Sequence, residues 1–285
     1  MAVLANQRVL VRRPGVLTPP YGLFTVTRAM GTLIDQMPEV AGQGGINYQT
    51  GVCELPTGYE TNCLPDLADK GVGDPTTIIT GDPFVVLTQL SCGSVGMDQR
   101  LLTEMMRERR LAGEQSIVEN IFSTGDFGAA ESLSNNTPAA VDAGAGANVV
   151  AAISNLEDAL YGGTAAYGLT GVLHVPYIAA AYLSEAHVIW RDNAGIWRTA
   201  AGTPVVIGNY AGTGPAGEAP AAGTTYLYIT GQVSIWRTPE SAVFEPNLSQ
   251  VLDRSTNQVN AQSEREYIVT FECASFYSLT TLVVV

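Results

Sequence analysis

Charge is scarce in this chain of 285 residues. Only 14% of the residues are Asp, Glu, Lys or Arg, where an ordinary soluble domain carries roughly 25%. Lysine is almost missing: Lys70 is the only one among 14 basic residues. Histidine occurs twice, as His174 and His187, and cysteine four times, with no C-x-x-C pair and no histidine at zinc-finger spacing from a cysteine. A bound metal is therefore not expected. No apolar run approaches the roughly 20 residues that cross a bilayer. The short apolar runs near the N-terminus are broken by Arg8, Arg12 and Arg13, so neither a secretory leader nor a membrane partner is expected. A nucleophile elbow, a phosphate loop with lysine and a paired-carboxylate motif are also missing, and no cofactor is expected. Carboxylates brought together only in space are invisible at this stage and leave an acid–base enzyme open. His174, between Leu173 and Val175 in a strand-like run, and His187, at the end of a short helix, read as structural.

Hydrophobic residues make up 46% of the chain. A chain this apolar and this poor in charge has little polar covering for a free monomer, so much of its surface is expected to be buried against copies of itself. The net charge of -13 is unevenly spread. Residues 1 to 34 hold Arg8, Arg12, Arg13 and Arg28 and no acid, so the other 10 basic residues face all 27 acids, a balance of -17. An acidic body repels nucleic acid, which argues against a DNA- or RNA-binding role for the bulk of the chain. Two readings of the basic arm stand side by side: an attachment to the acidic body of a neighbouring copy, weakened by salt, or a solvated tail. Cys92 and Cys273 read as small core residues, and Cys53 and Cys63 as free thiols able to pair in an oxidising medium.

Residues 40 to 83 form a long Gly/Pro/Thr/Asp-rich excursion with short β-like pieces. A loop of that length is expected to be two-stranded and to reach a neighbour. PFVVLTQLSC (83–92) reads as a buried strand. Met97 to Thr124 reads as a long helix, stopped by Gly125. Its apolar stripe of Leu102, Met106, Ile117 and Ile121 is thin and is interrupted by Arg107, Arg109 and Arg110, which alternate with Glu104, Glu108 and Glu114. The expected result is a helix lying across a surface, with the arginines on a salt-bridged solvent or subunit face. DFGAAESLSNNTPAAVDAGAGA reads as a linker. Asn148 then caps a helix with Val149, Ile153, Leu156 and Leu160 on one face and Gly162 as stop. Helix and strand alternate from there to 234 over a mixed sheet, including a hairpin that turns at Asn193, Ala194 and Gly195.

GTGPAG (212–217) has the spacing of a dinucleotide-binding fingerprint, but Pro215, Pro220 and Gly223 preclude the helix that such a loop must open. A loop between two strands is expected. The triplet IWR recurs at Ile189, Ile196 and Ile235, and its tryptophans read as core or interface fillers, with each arginine on the side of its isoleucine. SEREYIVTFECASFYSLTTLVVV reads as one long closing strand, with Tyr267, Val269, Phe271 and Cys273 on its apolar face.

The order of these segments resembles the major capsid proteins of tailed bacteriophages: a basic arm, a long two-stranded loop, a long helix ending near Gly125, a central unit containing GTPVVIGNYAG, and a closing strand near VTFECASFY. The fold is shared with encapsulin cages and the floor domain of herpesvirus capsids. The most suggestive local match is G-x-P-V-V at Gly202 to Val206. The resemblance implies an α+β fold with an N-arm over 1–39 and an extended loop with its lead-in strand over 40–96. A peripheral domain with a spine helix would cover 97–145 plus 235–285, and an axial domain 146–234. It implies a non-catalytic head subunit, made in the host cytoplasm, whose copies form pentamers and hexamers of an icosahedral virion shell around DNA held without sequence specificity. Further partners implied are a separate scaffolding protein, a portal and a decoration protein. Arg8, Arg12, Arg13, Lys70, Arg107, Arg109 and Arg110 are the candidate intersubunit contacts. Some members join a loop lysine to an asparagine of another subunit; Lys70 falls in the corresponding loop, with no partner assignable. An encapsulin-like compartment around an enzyme cargo is the nearest alternative, and a soluble α/β nucleotide-dependent enzyme the unrelated one.

Overall fold

Two β-sheets and a separate hairpin carry the architecture of a computed structural model, which describes residues 21–37, 44–50, 77–93, 99–129, 131–134, 139–162, 167–239, 252–253, 255, 258–273 and 275–283. Arg8, Arg12, Arg13, Lys70, Cys53 and Cys63 lie outside the described residues.

The first sheet has five strands. β1 (Leu33–Ile34) runs parallel to β11 (Val233–Arg237), which pairs antiparallel with β13 (Gln258–Phe271). The start of β13 also pairs with β12 (Leu252–Asp253), and along residues 258–267 with β4 (Phe84–Gly93). The hairpin of β2 (Ile46–Thr50) and β3 (Thr77–Gly81) closes the excursion expected over 40–83; residues 51–76 between its strands are not described. Gly81 at its base lies so close to Ile268 and Thr270 of β13 that an added Cβ would stand 2.4 Å from the Thr270 methyl.

Against this sheet pack α1 (Leu23–Met30) and the long α2 (Gln99–Thr124). Aromatic rings fill the space: Tyr267 is stacked between Phe24 and Phe84, each 5.9 Å from it, and Phe122 meets Phe271 edge-on. Such pairs add about 0.5–1.5 kcal/mol each to the burial of their area.

The second sheet has seven strands. β5 (Val141–Asp142), β6 (Val172–Pro176), β7 (Ile189–Arg191), β8 (Trp197–Thr199), β9 (Pro204–Gly208), β10 (Thr224–Thr230) and β14 (Ser275–Thr281) stand in the order β5-β14-β10-β6-β9-β8-β7. β6 and β9 are parallel and buried at every residue, as expected for strands covered on both faces. One cover is α3 (Val149–Glu157), continued by a π-turn to Gly162, together with α4 (Tyr177–Glu185). The Asn148 side chain accepts the Ala151 N–H at 2.9 Å, and Val149, Ile153, Leu156 and Leu160 pack on Leu173, Val175, Leu227 and Ile229. The other cover is the C-terminal half of α2, whose Val118, Ile121 and Phe122 share a core with Val172, Val206 and Tyr228.

Besides the passage through α2 from β4 to β5, the chain crosses directly between the sheets at Gly231–Gln232 and after Phe271, and these two direct crossings touch. The Glu272 N–H donates to the Gln232 carbonyl at 3.0 Å, and a Cβ on Gly231 would lie 2.2 Å from the Glu272 carbonyl oxygen. Glycine is required there by space.

Four expectations are corrected. The closing segment is two strands in two different sheets, because Cys273 turns the chain with φ 66; this residue is half-buried and disulfide-bonded, with its partner sulfur outside the described side chains. β14 consequently belongs to the sheet built from 141–230. β4 is buried on one face only: Phe84 and Val86 face the core, while Val85 and Leu87 are 48% and 44% exposed. α2 does not merely lie across a surface. Val118, Glu119 and Phe122 are fully buried, Ile117 is 43% exposed, and Arg110 is turned inward at 2% exposure. Finally, the stretch read as a linker after Gly125 is tied down in part, with Leu133 in the core and the Leu133 N–H donating to the Phe122 carbonyl at 2.9 Å.

Candidate functional site

Polar residues on the inner face of α2 converge on one carboxylate. Glu114 is 4% exposed. Its Oε2 accepts the Tyr267 hydroxyl at 2.7 Å and lies 3.6 Å from Arg265 and 3.9 Å from Arg110, while Oε1 lies 3.5 Å from Arg237. Arg237 also donates through Nε to Asp35, just after β1, and Arg265 reaches the same oxygen at 3.6 Å. Arg237 further lies over the Phe24 ring, at 5.2 Å from its centre. Five elements thus meet at one ion network. The hydrogen bond from Arg237 holds the Asp35 carboxyl below the usual range, and burial, then the Glu114 charge, pushes the Tyr267 hydroxyl up. Three guanidiniums stand against two carboxylates, of which Glu114 is buried and Asp35 half exposed. Their chemistry is that of a bolt, since removing one member of a buried network leaves the others uncompensated.

Two further carboxyls are held by backbone N–H groups, Glu119 buried and Glu131 half-buried. Glu119 accepts the Leu23 N–H at 2.9 Å and the Asn209 N–H at 2.8 Å, so α2 caps the first turn of α1 and grips the end of β9. Desolvation pushes it up to about 7, against the pull of the two N–H donors. Glu131 accepts the Phe271 N–H at 2.9 Å, and burial pushes it up to about 8.

His174 is buried with both ring nitrogens engaged. The Thr230 hydroxyl donates to the Gly231 carbonyl and so accepts from Nε2–H, which leaves Nδ1 to accept the Tyr210 hydroxyl, each at 3.0 Å. Burial holds this imidazole down at about 3, so it stays neutral. His174 is structural, as expected.

Among the described residues, β4 pairs with β13 alone, which leaves its outer edge open there. Beside it, between β4 and α2, lies a cleft of about 380 Å³ with Leu87, Thr88, Arg109, Gly113 and Ile117 in its walls and Glu114 at its floor. Arg107 and Arg109 are exposed on α2; Arg110 lies inside, because its side chain is drawn toward Glu114. Of the sequence candidates, the structure therefore brings only Arg109 and Arg110 to one place. Asp35, Glu114, Arg237 and Arg265 were missed. The spacing of Arg110 and Glu114, one helical turn apart, was the only local signal.

The GTGPAG segment is a turn between β9 and β10, closed by the Gly217 N–H on the Gly214 carbonyl at 2.9 Å, and it opens no helix. The tryptophans of the IWR triplets divide. Trp197 and Trp236 are half-buried against core residues, whereas Trp190 on edge strand β7 is 50% exposed, because no strand covers that edge among the described residues. Arg237 is buried on the side of Ile235, as alternation predicts. Among the described residues no group of His, Cys, Asp and Glu is arranged to hold a metal, and no helix is long and apolar enough to cross a membrane.

No protein-family profile matches the chain, and no curated protein does. Solved structures do. The capsid of an empty GTA particle is 14% identical, with a TM-score of 0.48, over 95% of this chain and all of that one. The capsid of Ralstonia phage GP4 is 11% identical, with a TM-score of 0.46, over 99% of this chain and 97% of its own. The head structure of Helicobacter pylori bacteriophage KHP40 is 10% identical, with a TM-score of 0.48, over 96% of this chain and 94% of its own.

Proposed function

We propose that this chain is a structural shell subunit of the tailed-phage major capsid type, assembling into pentamers and hexamers of an icosahedral head that encloses DNA. One observation carries the reading: among the described residues, the ten-residue strand β4 has an unpaired outer edge, with Val85 and Leu87 exposed. Such an edge on a soluble monomer is a template for association. The hairpin β2–β3 and the low charge fit the same role. In this reading the five-stranded sheet with α2 is the peripheral domain and the seven-stranded sheet, now including β14, the axial one. The hairpin is the base of an extended loop that lies over a neighbour. The acidic body, at -17 outside residues 1–34, repels phosphates and so leaves packaged DNA mobile. The buried groups are engaged in bolting elements together, which supports a non-catalytic protein. A scaffolding protein, a portal and a decoration protein are the further partners, and assembly takes place in the host cytoplasm.

Negative-stain microscopy of the expressed chain, alone and with co-expressed scaffold, tests this. Closed shells are the expected result, and a monomer at every concentration under both conditions overturns it. Shells that carry a packaged enzyme in place of nucleic acid would move the assignment to the encapsulin type.

A further inference from the structure

Directly after α2, the segment Gly125–Gly128 projects an aromatic ring into solvent. Phe127 is 79% exposed and sits at φ 59, ψ 25, between Gly125 at φ 74 and Gly128 at φ 81. A bulky residue in the left-handed region costs on the order of 1 kcal/mol or more. The turn is held by the Thr124 hydroxyl, which donates to the Asp126 carboxylate at 2.8 Å. The ring's exposure is thus maintained against both backbone strain and the hydrophobic effect.

The same subunit offers a place that fits such a ring. The cleft beside β4 holds about 380 Å³, and an apolar cavity of roughly 150 Å³ already admits benzene. Leu87 and Ile117, both nearly half exposed, form apolar walls. Gly113 leaves the helix side open: a Cβ there would meet nothing within 4 Å. The charges are complementary, since the exposed Arg109 is in the cleft wall and Asp126 precedes the ring. A chain does not fill its own cleft. At about 1.5 Å per residue, α2 carries Thr124 roughly 10 Å beyond Ile117, and the turn lies past that end.

We infer that Phe127 of one copy inserts into the β4–α2 cleft of a second copy, with Asp126 facing Arg109. Each copy carries both halves, so the contact repeats from subunit to subunit, as rings and closed shells require. This inference rests on the shell reading and adds to it a specific contact.

The test places the photo-crosslinking residue p-benzoylphenylalanine at position 127 and assembles a mixture of isotope-labelled and unlabelled chains. Mixed-isotope crosslinks from 127 to residues 85–89 or 109–117 are expected. Crosslinks elsewhere, or none in particles that form, overturn the contact while leaving the shell reading intact; a wild-type chain that never assembles overturns both. Phe127→Ala and Gly113→Trp should each raise the subunit concentration needed for assembly by about tenfold or more, about 1.4 kcal/mol per contact, with unchanged thermal unfolding of the isolated subunit. Asp126→Arg and Arg109→Asp should each impair assembly and together restore it. Failure of the pair to rescue would remove the charge component of the contact.

Discussion

The two sheets of this protein are held by different forces. The seven-stranded sheet encloses an aliphatic core under α3 and α4, and its edge strands β5 and β7 are short, with two and three residues. The five-stranded sheet is closed on one side by stacked rings and a buried ion network, and on the other ends in β4, ten residues long and unpaired on its outer edge among the described residues. An aliphatic core forms wherever enough apolar area is buried. A buried ion network requires particular partners in a particular arrangement and contributes little over an apolar core, but its partial loss is costly. Among the described residues, the seven-stranded sheet ends in short strands, whereas the five-stranded sheet ends in a long strand with an unpaired edge.

The sharpest way to break this contrast is at Glu114. Glu114→Ala leaves Arg110, Arg237 and Arg265 facing one another and should lower stability by about 3–5 kcal/mol in urea unfolding. A loss under about 1 kcal/mol would mean that charge does not organise that half. In the other half, Leu173→Ala opens an ordinary cavity at an expected cost of about 2–4 kcal/mol.

Acidity separates the halves further. Folded Glu119 and Glu131 keep their protons to about 7 and about 8, whereas in the unfolded chain they lose them near pH 4.5, so stability falls as pH rises between those limits. His174 acts in the opposite direction: buried and neutral down to about 3, it favours unfolding as pH drops below about 6.5. From about pH 6.5 to 8 the two carboxyls act without His174, and thermal unfolding across that window should show a decline from them on the order of 2 kcal/mol. Glu119→Gln with Glu131→Gln should flatten it; an unchanged slope would reassign the decline to other groups.

Asn148→Ala removes the cap of α3 and should cost about 1 kcal/mol, measured by thermal melting. The smallest effect on the isolated subunit is expected from Val85→Ser with Leu87→Ser, within about 0.5 kcal/mol, because both side chains already face solvent. The same pair should nonetheless abolish particles in sedimentation, and normal assembly would remove β4 from the contact surface.

The elements legible in the sequence were those whose buried face is apolar. Val149, Ile153, Leu156 and Leu160 marked α3 and its packing side, and Asn193 to Gly195 marked the β7–β8 hairpin. The long helix was legible, and Leu102, Met106 and Ile121 of its expected stripe are buried, but Ile117 is exposed and the buried face also holds Arg110, Glu114, Gln115 and Glu119, which a search for periodicity in hydrophobic residues passes over. The ion network joins positions 35, 114, 237 and 265, which only the tertiary fold brings together. The break between β13 and β14 was missed because the left-handed turn residue is Cys273 and not a glycine. The exposure of Trp190 depends on β7 being last in its sheet, a matter of strand order that alternation does not encode.

Hydrogen–deuterium exchange of the β4 amides, residues 84–93, in dilute subunits and in assembled particles tests most directly whether the five-stranded half is completed by other copies. The account predicts a protection gain of at least tenfold at β4 on assembly, with β6, β9 and β10 equally protected in both states, about 1.4 kcal/mol at the edge. Full protection of β4 in the dilute subunit, or no gain in the particle, would contradict it.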